Sequence, residues 1–170
     1  MFKIAVGNDV EKGAIDLDYN LIKNLNNLAD CKKKKLTDLT VCYLDRPRHN
    51  EIINTLDKLK IKKKPISDGD VAGALLVTDK KFNVDMFIGI GGGPEGVISA
   101  SALDAYNCFF QGRFLFNEEI DIKRAKEMGI VDLQKKYEIN EIVSGDSIFV
   151  ATGITDGDLV SGIKINDNKF

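Results

Sequence analysis

Short apolar runs that end at once in a polar or glycine-rich turn recur along this chain and constrain its fold more than any other feature. Val41–Leu44 runs into Asp45-Arg-Pro-Arg-His49, and Pro65-Ile66 into Ser67-Asp-Gly-Asp70. Met86–Ile90 runs into Gly91-Gly-Gly-Pro-Glu-Gly96, and Ile148–Val150 into Ala151-Thr-Gly-Ile-Thr-Asp-Gly-Asp158. Segments of helical period lie between them. Leu21, Leu25 and Leu28 share one face of a helix predicted over Asp18–Cys31, and Ile52, Ile53, Leu56 and Leu59 one face of a helix over His49–Lys60. Further helices are predicted at Val71–Thr78, at Pro94–Tyr106 with proline in its first turn, and at Glu118–Met128 with Gly129 as its stop; a last turn covers Asn140–Val143. Strands are predicted at Lys3–Val6, Thr40–Leu44, Ile61–Ile66, Val84–Ile90, Cys108–Leu115, Ser147–Ala151 and Ser161–Ile165, with a loop over Asn8–Asp18. Strands alternating with helices define an α/β fold: one domain over residues 1–170, with a mostly parallel sheet and helices on both faces. Right-handed crossovers set the carboxyl ends of such strands along one edge, where open α/β sheets bind ligands. The four turns are therefore expected to meet in one crevice.

Composition removes several functions. A net charge of −2 argues against nucleic acid as a partner. The lysine runs Lys32–Lys35 and Lys62–Lys64 read as solvated helix ends or loops, with a basic docking patch as the alternative. Cys31, Cys42 and Cys108 are odd in number and far apart, which disfavours both a disulfide framework and structural zinc and fits a cytoplasmic setting. No apolar run approaches the roughly 18 residues of a membrane span, and the Met1–Gly7 start reads as a strand rather than a signal peptide. His49 is the single histidine, so histidine-based metal sites and triads give way to carboxylates, arginines and oxygen-ligated metals.

Within the turns, Arg46 and Arg48 flank Pro47, whose ring stiffens the turn. Two planar guanidinium forks held this way suit a phosphate; the alternative is an ion pair with Asp45 or Glu51. Asp68 and Asp70 flank Gly69 and could accept bonds from sugar hydroxyls or bind a hard cation, Asp70 being also the natural cap of the next helix. Gly91, Gly93 and Gly96 match the dinucleotide fingerprint between a strand and a helix. Glu95, however, falls in the first helical turn, where it would repel a pyrophosphate but welcome a divalent cation standing against a phosphate, and this favours a metal–phosphate site over a dinucleotide. Thr152, Thr155, Asp156 and Asp158 form a further polar turn, either of the site or closing the fold. Arg113 either reaches the crevice or is a strand-face charge, and His49 sits at a helix start beside the arginines.

Together, Lys3-Ile-Ala-Val-Gly7, Asp45-Arg-Pro-Arg-His49, Ile66-Ser-Asp-Gly-Asp-Val-Ala-Gly73, Gly89-Ile-Gly-Gly-Gly-Pro-Glu-Gly96, Gln111-Gly-Arg113 and Ala151-Thr-Gly-Ile-Thr-Asp-Gly-Asp158 resemble, in order and spacing, the bacterial class II fructose-1,6-bisphosphatase family. The resemblance covers the central to C-terminal portion of that family. It implies the second α/β half of the inositol-monophosphatase-like sugar phosphatase fold and hydrolysis of fructose 1,6-bisphosphate in gluconeogenesis, some members also acting on sedoheptulose 1,7-bisphosphate. It further implies that Arg46, Pro47 and Arg48 grip substrate phosphate. Asp68, Gly69, Asp70 and Gly92 would bind the sugar bisphosphate, and Glu95 would ligate manganese or magnesium. The family's N-terminal metal-binding half, with its Asp-Pro-Ile-Asp-Gly-Thr type motif, has no counterpart here, and the sequence contains no Asp-Pro dipeptide. A separate N-terminal half or a homo-oligomer is the implied partner.

Overall fold

The computed structural model describes residues 1–164. Strands β1 (Phe2–Val6), β2 (Thr40–Leu44), β3 (Lys62–Ile66), β4 (Met86–Ile90), β5 (Phe109–Arg113) and β6 (Lys136–Glu138) form one sheet in the order β3-β2-β4-β1-β5-β6. β2 pairs in parallel with β3 and β4, whereas β1 runs antiparallel to β4 and β5, and β6 antiparallel to β5. Most strands, β2 to β5, thus share one direction, as the alternating pattern predicts. Each needs a crossover to return in parallel, and helices α2 (Asn50–Lys58), α3 (Asp70–Leu75) and α4 (Gly93–Ala105) supply them. β1 and β6 point the other way.

Alternate side chains of each strand face opposite layers. Ala5, Cys42, Leu44, Phe87 and Phe110 pack toward Leu75 of α3 and Leu103 of α4, while Ile4, Val6, Val41, Tyr43, Met86 and Ile88 pack toward Leu56 of α2 and toward Leu25 and Leu28 of α1 (Leu21–Lys32). Helices therefore cover both faces. α1 starts later than predicted because the Asn20 side chain takes the cap, accepting from Lys23 N at 2.8 Å. Asp18 is left in the preceding loop.

Three predicted features are corrected. The Lys62–Lys64 run is neither a helix end nor a loop: it lies in the strand predicted over Ile61–Ile66, here the edge strand β3, where lysines discourage further pairing and Pro65 is tolerated. Ser147–Ala151 is irregular, because only Phe149 of its apolar residues packs on the core while Ile148 and Val150 remain exposed. Ser161–Lys164 is also irregular, and Ile165 lies outside the described residues. Beyond β5, the chain forms α5 (Glu119–Glu127), with Gly129 in the left-handed region (φ 85°) shortly after its end, then β6 and α6 (Ile139–Ile142), which Glu138 and Glu141 cap reciprocally.

Candidate functional site

The β3-β2-β4 order makes the space between β2 and β4 a point where connections diverge: the chain leaves β2 for β3 on one side and β4 for β5 on the other. In open α/β sheets a crevice opens at such a point, outside the carboxyl ends of the strands. Three of the four expected turns lie there, following β2, β3 and β4. The fourth follows no strand. Leu159 packs on the α3/α4 layer, Asp158 pairs with Lys64 of β3 at 2.8 Å and so fastens the segment to the sheet, and Asp156 accepts from Gly162 N at 2.8 Å and closes a turn.

After β2, Pro47–His49 forms a single 3-10 turn, with Arg46 N bonded to Leu44 O at 2.9 Å. Arg46 is half-buried and its Nη1 donates to Asp45 O at 3.2 Å; Arg48 is exposed and its Nε donates to Ile90 O at 2.9 Å. Among the described residues neither guanidinium forms an ion pair with Asp45 or Glu51, which leaves their charge available to an anion.

His49 is fully buried. Its Nε2 accepts from Ile90 N–H at 2.7 Å, so in the neutral ring the proton sits on Nδ1, which donates to Leu44 O at 2.6 Å. Burial above all, then the charge of Arg48, lowers its pKa below the ordinary 6.5. A depressed pKa means the unfolded chain takes up this proton first. The contribution of His49 to stability is therefore present above about pH 6.5 and is lost as pH falls through the folded value. Urea midpoints measured between about pH 7.5 and pH 5.5 should fall more steeply for the native chain than for His49→Gln, which does not titrate there. Parallel curves would refute a buried neutral ring.

After β3, Asp68 is exposed and Gly69 adopts φ 84°, a left-handed conformation natural to glycine. Asp70 does not cap α3 as predicted. It is the helix's first residue, is buried, and its carboxylate forms an ion pair with the fully buried Lys3 of β1. Sequence reasoning missed Lys3. The available signal was a lone lysine inside the apolar run Phe2–Val6, on the face that carries Ala5.

After β4, the glycine turn touches both carboxylates. A Cβ on Gly91 would stand 2.2 Å from Asp70 Oδ2 and 3.1 Å from Lys3 Nζ; one on Gly92 would stand 2.0 Å from Glu95 Oε2. Glycine at position 91 lets the backbone pass over the buried ion pair, while at Gly92 the exposed Glu95 carboxylate lies against the backbone. Glu95 is exposed in the first turn of α4, beside the positive end of the helix dipole. At the far end of the sheet edge, Arg113 pairs with Asp18, and Lys136 reaches Asp16 at 2.6 Å and Asp18 at 2.8 Å. Hydrogen bonds from Lys136 and Arg113 hold the Asp18 carboxyl at a pKa of about 2. Arg113 is thus committed to fastening the Asp16–Asp18 loop to β5.

Chemically, two arginines, an exposed aspartate and a helix amino end suit a hydroxylated phosphate ester. The fit to a bound divalent metal is poor. Among the described residues no three His, Cys, Asp or Glu side chains group closely enough to hold an ion, and Asp70 is already paired with Lys3. Glu95 can supply one ligand, which is too few to hold magnesium or manganese.

Fold and site together define an α/β protein with polar turns at the carboxyl edge of its sheet, two of whose arginines form no ion pair with Asp45 or Glu51 among the described residues. Comparison with known proteins narrows this class: a family model described as bacterial fructose-1,6-bisphosphatase, glpX-encoded, matches residues 1–170, and the chain belongs to that family. It is 39% identical over 167 residues to the D-fructose 1,6-bisphosphatase class 2/sedoheptulose 1,7-bisphosphatase of Prochlorococcus marinus (strain AS9601), covering 90% of this chain and 50% of that protein. It is 38% identical over 166 residues to the protein of the same description from Synechococcus sp. (strain JA-3-3Ab), covering 90% of this chain and 48% of the other. The chain spans about half the length of the curated relatives it matches. Among the described residues no helix is long and apolar enough to cross a membrane.

Proposed function

We propose that this chain is the substrate-binding half of a metal-dependent, cytoplasmic fructose 1,6-bisphosphatase, and that residues 1–170 work as one α/β domain. Arg46 and Arg48, spaced by Pro47, grip a phosphate of the sugar bisphosphate. Asp68 and Gly69 offer polar groups to the sugar hydroxyls, Asp70 holds the floor of the crevice through Lys3, and Gly92 lets the ligand approach the backbone. Glu95 contributes one ligand to a manganese or magnesium ion whose remaining ligands come from a second polypeptide segment. The observation that carries this reading is the meeting of the arginine turn, the Asp68 turn and the Glu95 turn at the crevice between β2 and β4, in a chain of this family.

The chemistry assigned to this half is positional. The arginines neutralise the charge of the phosphate and fix its orientation. A dinucleotide in the same loop is disfavoured, because the Glu95 carboxylate lies against Gly92 where a pyrophosphate would sit. Calorimetric titration of the chain with fructose 1,6-bisphosphate tests the reading. Arg46→Ala and Arg48→Ala should each weaken binding by about 2 kcal/mol, or about 30-fold. Lysine at either position should restore only part of the loss, since it lacks the bidentate fork. Unchanged affinity in both alanine variants would remove the phosphate role.

A further inference from the structure

β2 and β4 separate before they reach the crevice: their paired register covers only Val41–Met86 and Cys42–Phe87. Ile90, three residues past the last pair, takes no β2 backbone partner in that register, yet both of its peptide groups are satisfied. Its N–H donates to His49 Nε2 at 2.7 Å and its C=O accepts from Arg48 Nε at 2.9 Å. Consecutive side chains of the arginine turn thus replace the missing rungs of the ladder. The same ring reaches back to Leu44 O, the last residue of β2, at 2.6 Å. It also lies on the backbone of β4, where a Cβ on Gly89 would come within 3.3 Å of Nε2.

We propose that His49 is a positioning residue, a neutral clasp protonated on Nδ1 that spans the parted ends of β2 and β4 and sets the arginine turn against the glycine turn. The proposal rests on the phosphate role given above to Arg46 and Arg48. Two properties suit the ring for this. It presents a donor and an acceptor at two edges of one rigid ring, so the distance from Leu44 O to Ile90 N is fixed. It is also uncharged, so it does not compete with the arginines for an anion. An event at the arginines is then transmitted to Ile90 and Gly91 through the His49 clasp and the Arg48 bond to Ile90 O.

The test uses the 170-residue chain labelled with 15N, whose single histidine makes the ring signals unambiguous. At neutral pH the ring should show a protonated Nδ1 and a bare Nε2. Fructose 1,6-bisphosphate should shift His49 Nε2 and the Ile90 and Gly91 amides together. His49→Asn keeps a donor toward Leu44 O but is too short to bring an acceptor to Ile90 N–H, and should speed exchange of the Ile90 amide and weaken bisphosphate binding, each about tenfold. His49→Gln can return an acceptor to Ile90 N–H and should recover much of both effects. A ring protonated on Nε2, or unchanged Ile90 exchange in His49→Asn, overturns the clasp. The tautomer is read on the native chain, so it decides even if a variant does not fold. A native chain that has the expected tautomer and a protected Ile90 amide but binds no bisphosphate would refute the proposed function and leave the clasp standing.

Discussion

Purified alone, the 170-residue chain is expected to release no phosphate from fructose 1,6-bisphosphate at any concentration of manganese or magnesium. Among the described residues too few oxygen ligands lie near one point. Metal-assisted phosphoryl transfer needs cations held by several carboxylates, and a lone carboxylate leaves manganese or magnesium mostly to its waters. Near the crevice Asp70 is withdrawn by Lys3, Asp45 and Asp68 lie on the separate turns after β2 and β3, and Glu95 is in the first turn of α4; among the described residues no three such side chains group closely enough to hold an ion. Asp16 and Asp18 are occupied by Lys136 and Arg113, and Asp158 by Lys64. Supplying the other half of a related enzyme in trans should produce hydrolysis, and Glu95→Gln in that mixture should abolish it without weakening bisphosphate binding to this chain. A rate of roughly 1 per second or faster from the isolated chain would overturn the prediction.

How far the sequence reaches can be judged from particular residues. The turns after β2 and β4 were legible because each follows a continuous apolar run, the mark of a strand buried on both faces; the turn after β3, a lysine-rich edge strand, was marked only by Pro65-Ile66 and the Asp-Gly-Asp that follows. Proline between two arginines and a glutamate after three glycines then marked what those turns carry. The direction of β1 was not legible, since alternating burial is the same for a strand read either way; only pairing to β4 and β5 fixes it. β6 is three residues long, too short for any period to show. The strand expected at Ser147–Ala151 does not form: Ile148–Val150 has the composition of a strand, whereas the structure leaves two of its three side chains in solvent. The roles of Asp70 and His49 depend on partners 67 and 41 positions away, Lys3 and Ile90, a separation no local pattern encodes.

The Lys3–Asp70 pair should matter most to stability. Lys3 is fully buried in β1, and Asp70 is the nearest countercharge, beneath Gly91. Such a pair gains little over well-packed apolar residues, because removing two charges from water offsets their attraction. Breaking it is different: Lys3→Met leaves a carboxylate buried without its cation and should cost about 3–5 kcal/mol. For a chain of this size that lowers Tm by roughly 10 °C. Asp70→Leu alone should cost a similar amount, by leaving the ammonium unpaired. If the loss comes from the orphaned charge rather than from packing, Lys3→Met combined with Asp70→Leu should return to within about 1 kcal/mol of the native chain. The decisive quantity is the coupling energy from urea unfolding of the four proteins. Additive losses, or a Lys3→Met cost under about 1 kcal/mol, would show that Lys3 reaches solvent and that the floor under Gly91 is not built on this pair.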